Sequence, residues 1–281
     1  MSLRTLPEAK VFPRPKNYQP EAPSDVMADW SAKPLAAEAD DASTISIYDV
    51  IGDDFWSGGG FTAKRASAAL RSIGANPVTV NINSPGGDMF EGIAIYNAFR
   101  AHPAKVTVNV MGIAASAASI IAMAGDEVNM GLGTFMMVHN AWGLVVGNQH
   151  DLAEASELFG QFDSALADIY EARTGQSRAS IEKLMDAESF LSPADAVEKG
   201  FADSVDKELK AAVSNQAHPG SVNAKRRIES LLAKQDVPRS ERRRLLNELT
   251  GGTHDAAPTV TQDAGLDLAA VRQLIETIKT H

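Results

Sequence analysis

The spacing of apolar and polar positions changes period several times along this chain, and each change marks an element. From Ser43, STISIYDVI alternates as a half-buried strand does, and FWSGGG behind it has the composition of a turn. TAKRASAALRSIG then takes the helical period, with Thr62 as N-cap, Ala66, Leu70 and Ile73 on one face, and Gly74 as the stop. PVTVNI returns to alternation, NSPGGD is a tight loop, and DMFEGIAIYNAFRAH is the next helix. Strand VTVNV, helix AASAASIIAMAG, strand DEVNM and strand TFMMVH follow. Strands that alternate with helices of about three turns require crossover connections, so the pattern predicts an α/β fold with a largely parallel sheet covered by helices.

Beyond His139 the pattern loosens through NAWGLVVGNQH, a loop or a short protruding hairpin. A long helix starts near Asp151, with Leu152, Ala155, Phe159, Phe162, Leu166 and Ile169 at three- or four-residue intervals, and stops near TGQS. SRASIEKLMDA is a further helix and ESFLS follows it. SPADAVEKG has Ser192 or Pro193 at its start and Gly200 at its end, and FADSV is a final short strand. The two ends of the chain differ from this middle. Residues 1–42 are rich in Pro, Ala and Asp without a sustained period and read as an extended N-terminal arm, one that could dock on a neighbour. Residues 207–281 are polar and punctuated by Pro and Gly, with three weakly amphipathic helices near 223–234, 239–249 and 266–280. The expected organisation is therefore an arm over 1–42, one domain over 43–206 and a partly helical C-terminal extension over 207–281.

Composition narrows the classes. With 281 residues, 44% of them hydrophobic, the chain can furnish a sizeable core. A formal net charge of -10 argues against wholesale binding of nucleic acid or an anionic membrane. One basic island interrupts the acidic chain at 225–249, with eight Lys/Arg against four Asp/Glu. It reads first as a solvated helix face, with a docking tail or a weak nucleic-acid contact as the alternatives. No cysteine is present, which excludes a disulfide framework, a thiol nucleophile and a thiolate zinc site. That absence, and an N-terminus without a continuous apolar run, fit a cytoplasmic setting. From Val106 to Gly125 no residue is charged, a length that could span a bilayer. Thr107, Asn109, Ser116 and Ser119 are interleaved with alanines there and Gly112 splits the run, so a buried strand followed by a helix is the expectation.

Three places could hold chemistry. NSPGGD joins a strand to a helix, and its glycines could turn backbone N–H groups toward a phosphate or an oxyanion, although an ordinary turn reads the same way. Ser116 lies among residues cut down to Gly, Ala and Ser, either for close helix packing or to leave room for a substrate beside a nucleophile. Ser119, one helical turn along, serves as the internal control and is expected to do packing only. Of the six histidines, His102, His139, His150, His218, His254 and His281, only His139 ends an apolar strand, where the sheet edge would place it near other strand–helix junctions. A structural histidine is the commoner reading of such a position. A serine nucleophile needs a base, so Ser116 and His139 strengthen each other.

Taken together, INSPGGDMFEGIAIYNAFR, MGIAASAASIIAMAG, MMVHNAWG and TGQSRASIEKLMDAESFLSPADAVEKGFADSV resemble, in order and spacing, the Clp-type serine peptidases. Among these, the chain looks most like the ClpP-related head maturation proteases of tailed phages and prophages. The resemblance covers positions 43 to 206. It implies a crotonase-like α/β fold, a β-α-β superhelix, with a Ser-His-acid triad and assembly into stacked rings around a chamber. Carried over residue by residue, it implies Ser116 as nucleophile, His139 as general base, and the N–H groups of Gly87 and Ala117 as the oxyanion hole. For the acidic member it implies Glu188, aligned through FLSPADA where the family usually has Asp, in preference to Asp186.

The same resemblance implies a homo-oligomer acting on capsid or scaffold precursor proteins, with the stretch 151–173 and AWGLVVGNQ at the contact between rings. No cofactor or metal is expected. The N-terminal arm does not look like the short axial loops by which an unfoldase docks, so ATP-independent action is expected. Three rival readings are a crotonase-type acyl-CoA enzyme, a catalytically idle capsid scaffold or assembly protein, and a relative of the signal-peptide peptidases. The last would need a lysine base and a membrane anchor, and neither is found.

Overall fold

This computed structural model describes residues 8–9, 43–53, 60–143 and 145–209. Most of the arm over 1–42, the FWSGG part of the FWSGGG turn, and nearly all of the extension over 207–281 with its three expected helices lie outside the described residues. Ala9 is buried, and the Asn97 side chain both accepts from its N–H (3.0 Å) and donates to its carbonyl (3.2 Å).

Among the described residues seven strands form one sheet, and all but one of its strand pairings are parallel, as the alternation of strands and helices predicts. Strands β1 (Thr44–Ile47), β2 (Val78–Ser84), β3 (Val106–Ala115), β4 (Glu127–Gly131) and β7 (Ser204–Asp206) lie side by side in the order β1-β2-β3-β4-β7. Strand β5 (Phe135–Val138) joins the far half of β3 in parallel and carries β6 (Ser189–Leu191) antiparallel on its other side. Helices α1 (Ala63–Ile73), α2 (Met89–Arg100), α3 (Ala117–Ala122), α4 (Gln149–Thr174), α5 (Arg178–Asp186) and α6 (Pro193–Glu198) complete the described elements.

The two faces of the sheet differ because the strand period is two. Val80, Val108 and Val128 form one row across β2, β3 and β4, and Ile82, Val110 and Met130 form the next; all six are fully buried. On the opposite face Asn109 donates to Asn81 (3.1 Å), Asn129 to Asn109 (3.3 Å), and Ser204 to Asn129 (2.7 Å), a polar ladder in register across four strands. The helices close over the apolar rows. Thr62 caps α1 through Arg65 N–H, and Asp88 caps α2 through Phe90 N–H (2.8 Å). Glu91 accepts from Ala63 N–H (2.7 Å) and so ties the start of α1 to α2.

One element departs from the sequence expectation. The helix expected over AASAASIIAMAG is only α3, and β3 continues through Gly112, Ala114 and Ala115 instead of being split. Tertiary pairing decides this: Ile113, Ala114 and Ala115 align with Phe135, Met136 and Met137 of β5. Gly112 is required for a different reason, since a Cβ there would lie 2.4 Å from Asn83 Oδ1, which accepts from Ile113 N–H (3.1 Å). The 106–125 run is thus a strand and a short helix. Among the described residues no helix is long and apolar enough to cross a membrane. Residues 139–148 form no strand where they are described.

Helices α2 and α3 meet at Gly92, where a Cβ would sit 2.9 Å from that of Ala117. Gly92→Ala is expected to push α3 away and to cost about 1–3 kcal/mol, as overpacking a tight contact does. Chemical denaturation against the wild type measures it.

Candidate active site

The site assembles at the far end of β3. Ala115 is the last paired residue, and Ser116 N–H still donates to Met137 O of β5 (2.9 Å). The chain then leaves the sheet through Ser116 itself, with φ 55 and ψ -126. Among the described residues only Ser116 and Glu188 have positive φ without being glycine, a conformation that stores strain. The small residues around Ser116 have a backbone reason. A Cβ at Gly86 would come within 2.7 Å of Ser116 Cβ and 2.9 Å of Ala117 N, so the NSPGGD loop can lie against the serine only as glycine.

That loop is fixed from its other side. Ser84 Oγ donates to Asp49 O (2.6 Å), Ile51 N–H to Gly86 O (2.8 Å), and Asp88 N–H to Ile51 O (2.9 Å). Gly87 has φ 147, and a Cβ there would lie 2.2 Å from Ile51 O. Neither Gly87 N–H nor Ala117 N–H, the two expected oxyanion donors, is spent on a protein acceptor among the described residues. Gly86, next to Gly87 in the loop, lies against Ser116 and Ala117, so the loop and the serine turn are neighbours.

His139 follows β5 directly, and its Nε2 lies 2.7 Å from Ser116 Oγ. Burial holds the imidazole below its ordinary pKa, while the Glu188 charge works against that shift. In the neutral tautomer that carries its proton on Nδ1, the bond runs from the serine hydroxyl to the imidazole. The β5–β6 register explains the reach of Glu188. Met137 pairs with Phe190 and Val138 with Ser189, so His139 and Glu188 are the residues that flank the last pair. Asp186 is engaged elsewhere, accepting from Asn140 Nδ2 (2.8 Å). Of the two carboxylates carried from the sequence, Glu188 is the one whose charge reaches the histidine.

Three features escaped the sequence reading. Asp163 accepts from Ala141 N–H (2.6 Å) and steadies the segment after His139; burial raises its carboxyl, the Ala141 bond opposes this, and Asp186 adds to the rise. Ser119 was expected to do packing only, but its Oγ donates to Ser116 O (2.6 Å) and lies 2.7 Å from Tyr170 OH. Tyr170 is the third; burial pushes its phenol far above the ordinary value, so the hydroxyl stays protonated. A tyrosine beside the apolar stripe of α4 was the available signal, because a buried phenol needs a partner. Among the described residues no group of His, Asp or Glu is arranged to hold a metal ion.

A family model described as Clp protease matches residues 68–208. Similar relatives include ATP-dependent Clp protease proteolytic subunits from Pleurastrum terricola, 34% identical over 46% of this chain and 67% of the relative, and from Chlorella vulgaris, 35% identical over 47% and 66%. The subunit of the same name from Deinococcus radiodurans is 32% identical over 46% of this chain and 64% of its own length. The matched stretch thus spans about two thirds of each relative. Among solved structures, a ClpP1 mutant from Listeria monocytogenes superposes with a TM-score of 0.50 at 26% identity, covering 60% of this chain and 95% of that one. The mostly parallel α/β fold is ClpP-like.

The electrostatics generate a titration test. Removing a negative charge near an imidazole disfavours its protonated form, so Glu188→Gln is expected to lower the His139 midpoint further, while Asp186→Asn leaves it in place. NMR titration of the His139 ring reads both, and an unmoved midpoint in Glu188→Gln would contradict the pairing.

Proposed function

Because this chain belongs to the Clp protease family, we propose that it is a serine endopeptidase in which Ser116 is the nucleophile and His139 the general base. The observation that carries the reading is the 2.7 Å contact between Ser116 Oγ and His139 Nε2. Ser116 attacks a peptide carbonyl as His139 takes its proton, and the tetrahedral oxyanion is received by the N–H groups of Gly87 and Ala117. His139 then gives the proton to the leaving amine. An acyl-enzyme remains on Ser116 Oγ until water, deprotonated by the same imidazole, releases it. Glu188 serves as the acid that orients and stabilises the imidazolium. The action of its charge on the His139 ring supports that role.

Further parts of the proposal concern organisation. The domain over 43–206 carries the activity, with the arm over 1–42 and the extension over 207–281 as appendages. The protein works as a homo-oligomer of stacked rings, without an ATP-driven partner. Trp142, Val146 and Leu152 support the assembly, since they are 37%, 66% and 49% exposed on the segment and helix expected at the ring contact. The substrate class is the capsid or scaffold precursors of a tailed phage, a reading supported by the resemblance of the four sequence blocks to head maturation proteases. Neither an acyl-CoA reaction on the same fold nor an idle scaffold gives a use for a hydroxyl bonded to an imidazole.

Ser116→Ala is expected to lower hydrolysis of a capsid precursor or of casein by about 10⁴-fold or more, and to abolish labelling by a fluorophosphonate. Undiminished cleavage by that variant would refute the assignment. Light scattering is expected to give a multiple of the 29.9 kDa chain. A monomer at working concentration would refute the ring.

A further inference from the structure

Ser119 and Tyr170 lie 51 residues apart in sequence, yet their hydroxyls meet at 2.7 Å in the core between α3 and α4. Ser119 is fully buried and Tyr170 is 1% exposed. The direction of each bond follows from the donor inventory. Ser116 O can only accept, so the single proton of Ser119 Oγ goes to it across 2.6 Å. Tyr170 OH must then be the donor to Ser119 Oγ. The result is a directed chain, Tyr170 OH to Ser119 Oγ to Ser116 O, and that carbonyl also accepts from Ser119 N–H (2.9 Å) and Ile120 N–H (3.3 Å).

The carbonyl at the end of the chain belongs to the same peptide unit as Ala117 N–H. No cis bond occurs in the described chain, and in a planar trans peptide C=O and N–H point in opposite directions. Fixing one therefore aims the other. Hydrogen bonds accepted by the carbonyl also polarise the N–H across the amide and make it a stronger donor. Ser116 needs such bracing, because its φ of 55 is a conformation the chain abandons unless its surroundings hold it.

We infer that Ser119 and Tyr170 are positioning residues for oxyanion stabilisation, acting through the Ser116–Ala117 peptide on the N–H that receives the developing charge. The inference rests on the serine peptidase reading above. Neither side chain touches the reacting atoms. Their contribution falls on the transition state, where the oxyanion exists, and leaves substrate binding alone. Tyr170 acts only by way of Ser119.

The test uses the full chain with a fluorogenic peptide substrate, a peptide boronic acid that forms a charged tetrahedral adduct on the serine, and a fluorophosphonate. Ser119→Ala is expected to lower kcat about tenfold at unchanged KM and to weaken the boronate by a similar factor. Tyr170→Phe, which removes one oxygen and keeps the ring, is expected to cost about threefold in both. The double variant is expected to be no worse than Ser119→Ala, since the tyrosine has nothing left to act on. Thermal melting is measured alongside. If either single variant keeps wild-type kcat and boronate affinity while its Tm falls, the pair is structural and the inference is overturned. If the effects multiply in the double variant, the chain of bonds is overturned. A wild-type protein that neither hydrolyses peptide nor takes up fluorophosphonate overturns the peptidase reading first and this inference with it. Those outcomes are separate.

Discussion

At the end of β3 the chain turns out of the sheet through Ser116 at φ 55 and ψ -126, a conformation that costs a residue other than glycine about 1–3 kcal/mol and survives only where neighbours over-determine it. Here they do so from every side. Met137 O holds the Ser116 N–H, three donors hold its carbonyl, and the backbone of Gly86 leaves no room for the turn to relax toward the loop. Everything else at the site is placed relative to this turn. It sets the hydroxyl against His139, and it brings Ala117 against the Gly86 backbone.

The sheet supplies the rigidity that such a turn requires. Its apolar rows are fully buried under the helices, and its other face is tied by the Asn81–Asn109–Asn129–Ser204 ladder. Strand β3 has β4 as partner along its first half and β5 along its second, so both Ser116 and His139 issue from the same pair of strand ends. Ser116 and His139 are therefore fixed by one set of backbone hydrogen bonds. Glu188, proposed as the acidic member, directly precedes the antiparallel β6 beside them and also carries a positive φ. Among the described residues, positive φ outside glycine thus falls on Ser116, which contacts His139, and on Glu188, whose charge acts on that ring.

Local signals were legible wherever one segment decides its own conformation. Helix α1 lies between Thr62 and Gly74 as its cap and stop predict, and the final short strand follows Gly200 as FADSV suggests. The stretch from Ala114 to Gly125 was legible only in part. Alanine is compatible with both a strand and a helix, so the boundary fell to the pairing of β3 with β5, which no local period encodes. The same distinction holds at the site. Ser116 and His139 stand out by composition and by position at a strand end. Preference between Glu188 and Asp186 rested on alignment alone, because the register of β6 on β5 joins residues some fifty positions apart.

The sequence by itself determined the class of fold, the strand–helix order and the residues able to carry acyl-transfer chemistry, because period, caps and residue type act over a few neighbouring positions. Tertiary structure alone decided that β3 runs on to Ala115, that the Glu188 charge reaches the histidine, and that a tyrosine from α4 reaches the serine one turn past Ser116. The physical reason is common to all three. Each is a contact between segments far apart in the chain, fixed by backbone registers and by the burial of hydroxyls that must find a partner once water is excluded.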